Sequence, residues 1–155
     1  METALTGEDV LKMAIDMEQT GRLFYEALAE GTGDRRAADL FRKLAREEVS
    51  HYEKFCKMRD SLLAARSAVR WSDEQANDFH RMVKENIQPT PDQVRKVAIG
   101  GDLTEAVAMA RKMEQDAIQF YTRMIDVVAP ESVEAVEAIV KSEQSHLTDL
   151  VALAW

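Results

Sequence analysis

The chain has 155 residues, of which 46% are hydrophobic and 31% are charged, so it can bury the core of one domain. Its net charge of −8 argues against binding to nucleic acids or anionic membranes, which reward clustered lysine and arginine. The single cysteine, Cys56, excludes an intramolecular disulfide and a four-cysteine metal site within this chain. Neither a run of 18 apolar residues nor an N-terminal signal pattern is present, and we expect a single cytoplasmic domain over residues 1–155.

Four long helices are predicted, because apolar residues recur at three- and four-residue spacing along most of the chain. Thr6 and Asp9 form the pattern of a capping box at the start of the first helix, and Gly31 follows its end. Asp102 is placed to cap the third helix, and Pro130 suits the first turn of the fourth. In chain order, the predicted helices cover 7–30, 35–65, 103–129 and 131–153.

The connection between the second and third of these helices is long, from 66 to 101. Within it Ser72 and Gln75 form another capping-box pattern, which predicts a helix over 73–86, and a shorter helix is expected over 92–98. We therefore expect an all-α fold, namely a four-helix bundle of two helical hairpins joined by a long, partly helical crossover, because a connection of this length can cross the bundle.

The two halves of the chain resemble each other, which is a strong sign of internal repetition. Residues 10–25 match residues 106–121 at an offset of 96, with seven of sixteen residues identical, including Glu18 and Glu114. A second match, at an offset of 95, pairs Glu48, Ser50 and His51 with Glu143, Ser145 and His146. Each half therefore contains one glutamate followed, roughly 30 residues later, by a Glu-x-x-His segment.

Carboxylates occupy the middle of the apolar stripe on all four long helices, at Glu18, Glu48, Glu114 and Glu143. Ionised carboxylates in a core are costly unless they are compensated, and four together repel one another. Two divalent cations would balance their charge. His51 and His146 lie one turn after Glu48 and Glu143 and would add one neutral imidazole each. Such ligands suit Fe(II) or Mn(II). Zinc is an alternative only because it generally binds such sites with high affinity.

These residues carry a family resemblance. Glu18, Glu48-Val-Ser-His51, Glu114 and Glu143-Gln-Ser-His146 resemble the rubrerythrin-like branch of the ferritin-like di-iron superfamily, over the four long helices. The resemblance implies a ferritin-like bundle with two iron ions, which Glu48 and Glu143 bridge. It also implies that Glu18 and Glu114 are terminal ligands, one per ion, and that His51 and His146 are ligands. Members of this family reduce hydrogen peroxide or oxidise ferrous iron with O₂.

Two features differ from rubrerythrins proper. The chain lacks their rubredoxin-like four-cysteine domain, and Ala117 stands three residues after Glu114, where they carry an additional glutamate. The site therefore resembles a plain set of four glutamates and two histidines. Without a built-in electron donor, the resemblance implies a separate electron-donor protein.

The expected function is that of a non-haem di-iron oxidoreductase that reduces hydrogen peroxide or O₂, in a homodimer by analogy with similar bundles. The alternatives are a ferroxidase or other iron-handling ferritin-like protein, and a non-catalytic or di-manganese bundle. Tyr25 and Tyr121 lie two turns from Glu18 and Glu114 on the same faces. They are the candidate catalytic residues, able to hydrogen-bond a ligand or donate an electron, although aromatic residues at core spacing usually only pack. Glu47 and Glu53 lie off the inward faces and are expected to be solvated.

Overall fold

The computed structural model describes residues 6–65, 72–85, 89–100, 102–126 and 128–153. All regular elements within these ranges are helical, as the sequence predicts. The α-helices are α1 (Gly7–Gly31), α2 (Arg35–Ala65), α3 (Asp73–Glu85), α4 (Pro91–Ile99), α5 (Leu103–Met124) and α6 (Val133–Leu153). Helix α1 packs on α2 and α5 packs on α6, and contacts of α1 with α5 and of α2 with α6 join the two hairpins.

Side-chain caps begin several of the helices where the sequence places them. The Thr6 hydroxyl accepts from the Asp9 N–H at 3.1 Å, and the Asp9 carboxylate accepts from the Thr6 N–H at 2.9 Å. Asp102 likewise accepts from the Glu105 N–H at 3.2 Å at the start of α5. These bonds satisfy backbone donors that have no partner inside a helix, which defines where each helix begins.

Helix α5 is shorter than the sequence pattern predicts. It ends at Met124 instead of 129, and Pro130–Ser132 forms a 3-10 turn before α6. The residue before a proline is pushed out of the helical region by the proline ring. Ala129 accordingly has ψ 144°, so the chain leaves the helix before Pro130.

The crossover brings α4 against α1 and α5. A Cβ atom at Gly31 would lie 3.0 Å from the carbonyl oxygen of Ala98, a tight contact, so this close approach of the two helix ends favours a glycine. Three parts of the predicted crossover, residues 66–71, 86–88 and 101, lie outside the described residues.

The apolar interior consists of two clusters, one towards each end of the bundle. The first, here called the lower cluster, includes Phe24, Phe41, Leu44 and Leu150. The second, the upper cluster, includes Ile15, Phe55, Phe120 and Ile139. Along each long helix the residues of one cluster give way to those of the other at mid-length, and the polar layer described below lies at that level.

Among the helices that the structure describes, none combines the length and the apolar character needed to cross a bilayer.

Candidate metal centre

The six predicted ligands come together in one buried layer at the middle of the bundle. Helix α1 contributes one of them and α5 another, while α2 and α6 contribute two each. All are at most 4% exposed: Glu18, Glu48, His51, Glu114, Glu143 and His146. In every helix they follow residues of one apolar cluster and precede residues of the other. The heptad-like apolar pattern therefore buries these polar residues because it continues on both sides of them.

The ligand atoms form two overlapping groups, in each of which all atoms lie within 4.8 Å of one another. One group consists of Glu18, Glu48, His51 and Glu143, and the other of Glu48, Glu114, Glu143 and His146. Glu48 and Glu143 belong to both groups. Either group could hold a metal ion, and the two shared carboxylates lie where they could contact both ions.

The imidazole nitrogens are the nearest side-chain partners of these carboxylates. His51 Nδ1 lies 2.9 Å from Glu143 Oε1 and 3.5 Å from Glu18 Oε2. His146 Nδ1 lies between 3.1 and 3.3 Å from oxygens of Glu48, Glu114 and Glu143. The two rings are stacked with their centroids 5.7 Å apart. Among the described residues, every ion pair of the four carboxylates is with one of these two histidines.

Burial and mutual repulsion dominate the electrostatics. Burial, and next the charge of Glu143, raise the pKa of Glu18, Glu48 and Glu114 well above the ordinary carboxyl value. Burial would also raise the pKa of Glu143, but hydrogen bonds from Glu114, His146 and His51 outweigh it and lower that pKa. Burial opposes protonation of His146, but hydrogen bonds to the surrounding carboxylates raise its pKa. Without a metal, the four carboxyl groups and His146 therefore share protons, and the protonation of each depends on the others.

Two tyrosines cross the layer from opposite sides. Tyr25 Oη donates to Glu114 Oε1 at 2.6 Å, and Tyr121 Oη donates to Glu18 Oε1 at 2.7 Å. Each tyrosine therefore binds the glutamate of the other repeat, and not the one two turns away on its own helix. Burial and the nearby carboxylates raise the pKa of both phenols well above 10.0, so both remain protonated donors.

The carboxylates retain open ligand atoms. Oε2 of Glu114 is buried and has neither a hydrogen bond nor an ion pair within the described part of the chain. Oε2 of Glu18 and Oε2 of Glu143 are also buried without a hydrogen bond of good geometry, and they lie 3.5 Å from His51 Nδ1 and 3.1 Å from His146 Nδ1. A buried carboxylate oxygen without a donor is unfavourable, and a cation removes that cost. The hard oxygen and imidazole donors are those that Fe(II) and Mn(II) take in proteins. The residues present therefore fit a pair of divalent metal ions.

A small cavity opens directly onto this layer. Its volume is about 20 Å³, which is close to the space of one water-sized molecule. All four buried carboxylates and both tyrosines line it, together with Gly21, Ala117, Met17 and Met113. Gly21 and Ala117 occupy equivalent positions of the repeat, so the missing side chain of one and the single methyl group of the other leave this space open.

Two further polar residues reach the histidines. Glu47 was expected to be solvated, but one of its oxygens contacts His146 Nε2 at the rim of the layer. Ser142 Oγ lies 2.9 Å from His51 Nε2 and 3.5 Å from His146 Nε2. The contacts of Glu47 with His146 and of Ser142 with His51 had no signal in the helical periodicity, because each of these two contacts joins α2 to α6. The repeat does align Glu47 with Ser142, directly before Glu48 and Glu143, and this was the one available clue.

Comparisons with known proteins identify a family and a fold. The family model described as Rubrerythrin matches residues 9–154. A 2.30 Å crystal structure from Thermotoga maritima, provisionally described as a ferritin-like diiron-carboxylate protein, is similar with a TM-score of 0.73. The alignment covers 99% of this chain and 97% of that chain at 23% identity, so the likeness confirms the predicted ferritin-like fold. No curated protein matches the chain at a significant level.

Proposed function

Because the chain belongs to the rubrerythrin family, we propose that its buried polar layer holds two iron ions and that the protein is an oxidoreductase. The proposed substrates are hydrogen peroxide or O₂. The observation that supports this most directly is the layer itself, in which four buried carboxylates have only two histidines, and no lysine or arginine, as ion-pair partners among the described residues. Such an excess of buried negative charge is unfavourable unless protons or cations balance it.

The two overlapping groups of ligand atoms define the proposed binding positions. His51 and Glu18 would belong to the first position, and His146 and Glu114 to the second. Glu48 and Glu143 are common to both groups, which supports their role as bridging ligands. Two divalent cations carry four positive charges and would balance four carboxylates.

Two bound Fe(II) ions would supply one electron each, so that hydrogen peroxide and two protons yield two water molecules and the ions are left as Fe(III). The protein holds the ligand side chains in position and excludes bulk water from them. Its cavity of about 20 Å³ admits only a very small molecule to the carboxylates. Tyr25 and Tyr121 hold Glu114 and Glu18 in place through their hydroxyl protons. We assign both tyrosines to the site as hydrogen-bond donors beside the substrate position.

Repeated turnover needs an electron source. The chain has one cysteine, so it contains no four-cysteine iron site of its own. We propose that a separate electron-donor protein re-reduces the site, and that the protein acts as a homodimer, since most soluble oligomers pair identical chains about a two-fold axis.

The test combines metal content with reactivity. Protein purified without chelator is analysed for metals, and the Fe(II)-loaded form receives one equivalent of hydrogen peroxide per pair of ions without oxygen. We expect about two iron ions per chain, loss of Fe(II), and stoichiometric consumption of the peroxide. The variant Glu143→Gln removes one shared carboxylate and should lose both ions. Glu137→Gln, at an exposed position of the same helix, is the matched control and should lose neither.

The other functions have distinct outcomes in this test. A large assembly that oxidises Fe(II) with O₂ and retains the product would favour ferroxidase and iron storage. Two manganese ions with peroxide disproportionation would favour a di-manganese enzyme. A chain that takes up neither iron nor manganese would contradict the proposal.

A further inference from the structure

The internal repeat is broken at the position directly before the two shared glutamates. Each half carries a residue directly before its shared glutamate, and that residue is Glu47 in the first half and Ser142 in the second. The flanking ligands are the same in both halves. The two halves therefore differ in the residue that accompanies the Glu-x-x-His segment, a carboxylate in one and a hydroxyl in the other.

Both residues reach across the bundle to the outer nitrogen of the opposite histidine. Glu47 in α2 contacts Nε2 of His146 in α6. Ser142 in α6 lies 2.9 Å from Nε2 of His51 in α2 and 3.5 Å from Nε2 of His146. In both histidines the inner nitrogen, Nδ1, faces the buried carboxylates. The pseudo-symmetric contacts thus have chemically different partners.

A carboxylate and a hydroxyl act differently on an imidazole. With a metal ion bound at Nδ1, His146 would carry its one remaining proton on Nε2, where the Glu47 carboxylate, which can only accept, would take it in a hydrogen bond. The Ser142 hydroxyl can accept or donate, and it therefore permits either arrangement of the proton on His51. A carboxylate partner also makes a ligating imidazole a stronger donor to a metal.

We infer that the two metal positions are unequal and that Glu47 is the residue that makes them so. The position formed by Glu48, Glu114, Glu143 and His146 binds its ion more tightly and fills first. The position that contains His51 binds its ion more weakly and releases it first. Glu47 is a positioning residue, since it acts on the ion through His146. The inference rests on the proposed two-metal site and deepens it.

The location of Glu47 makes the inference testable without opening the core. Its side chain is 38% exposed, whereas the His146 side chain is fully buried. Removal of the carboxylate therefore leaves the packing of both apolar clusters unchanged. Loss of such an outer hydrogen-bond partner typically lowers metal affinity about 10- to 100-fold.

The experiment follows the release of two Co²⁺ ions from the loaded full-length chain as a chelator is added, with visible absorbance as the signal. The wild-type chain should release the ions in two steps that differ about tenfold or more in affinity. Glu47→Ala should shift the tighter step by about 10- to 100-fold and leave the weaker step in place. Glu47→Gln should shift it less, because the amide oxygen still accepts a proton from Nε2.

Two controls separate this role from a general structural one. Glu53→Ala removes an exposed carboxylate from the same helix and should change neither step. Ser142→Ala should shift the weaker step more than the tighter one, because its shorter contact is with His51.

Three outcomes would contradict the inference. Release of both ions in one step from the wild-type chain would overturn it and leave the two-metal site intact. A Glu47→Ala variant with both steps unchanged, or with both shifted equally, would do the same. A wild-type chain that takes up no Co²⁺ would overturn the proposed function as well.

Discussion

Tyr25 in α1 donates a 2.6 Å hydrogen bond to Glu114 in α5, a residue 89 positions further along the chain. Its counterpart Tyr121 makes the reciprocal bond from α5 to Glu18 in α1. Tyr25 belongs to the lower apolar cluster and Tyr121 to the upper one. The carboxylate layer is thus held from both sides, and each hairpin of the bundle contributes a donor to the carboxylate of the other.

The loss of one such donor should be measurable. Tyr25→Phe removes the hydroxyl that donates to Glu114 Oε1, so this buried carboxylate oxygen loses one hydrogen-bond donor. We expect the free energy of unfolding to fall by about 1–3 kcal/mol, measured by urea denaturation of the metal-loaded chain. Tyr52→Phe, at a partly buried position outside the carboxylate layer, is the matched control. Equal effects of the two variants would show that the Tyr25 hydroxyl contributes nothing specific.

Substitution of an unshared ligand and of a shared ligand should leave different numbers of ions bound to the chain. Glu18 belongs to one group of ligand atoms, whereas Glu48 belongs to both. Glu18→Ala should therefore keep about one ion per chain, and Glu48→Ala should keep none. Elemental analysis after dialysis measures this directly. Retention of two ions by Glu48→Ala would exclude it as a shared ligand.

Filling part of the small cavity should slow the reaction with peroxide without changing the amount of metal bound. In Gly21→Ala the added methyl group would lie 3.4 Å from Cδ and Oε2 of Glu48, an ordinary contact, and would occupy part of the cavity. The metal content should stay unchanged, and peroxide consumption should slow several-fold because the substrate space is filled. Alanine in place of glycine inside a helix should also add about 0.5–1 kcal/mol to the free energy of unfolding. An unchanged rate would place the reacting substrate elsewhere.

The stability of the metal-free chain should fall as the pH rises. Burial raises the pKa of Glu18, Glu48 and Glu114, so above the ordinary carboxyl value of 4.5 the folded chain holds protons that the unfolded chain has released. The raised pKa of His146 acts in the same direction above 6.5. The lowered pKa of Glu143 contributes a constant stabilisation in this range, since its effect is lost only below 4.5.

Thermal melts with chelator at about pH 5 and pH 8 test this prediction. We expect the lower melting temperature at the higher pH. Metal ions compete with the same protons, so the stabilisation by added Fe(II) or Mn(II) should grow between these two pH values. Glu18→Gln should flatten the pH dependence of the metal-free chain, because one shifted carboxyl group is gone. A metal-free chain that is equally stable at both pH values would show that the raised pKa values of these buried groups do not control its stability.

Much of this protein is determined by local sequence. Helical periodicity and the caps at Thr6 and Asp102 are properties of neighbouring residues, and the helices begin where these predict. The inward position of Glu18 follows from its apolar neighbours on the same helix face. The end of α5 was predicted five residues too late, because the pattern of apolar residues continues past Met124 and the effect of Pro130 extends only to Ala129.

The relations between helices were decided only by the tertiary structure. Periodicity places Tyr25 on the same face as Glu18, yet its hydroxyl reaches Glu114. Periodicity also places Glu47 off the buried face, yet it contacts His146. Spacing along one helix states which side chains share a face, and it carries no information on how far a side chain extends towards another helix. That distance depends on how the four helices pack, and here their packing joins two repeated halves into one layer with unequal partners for its two histidines.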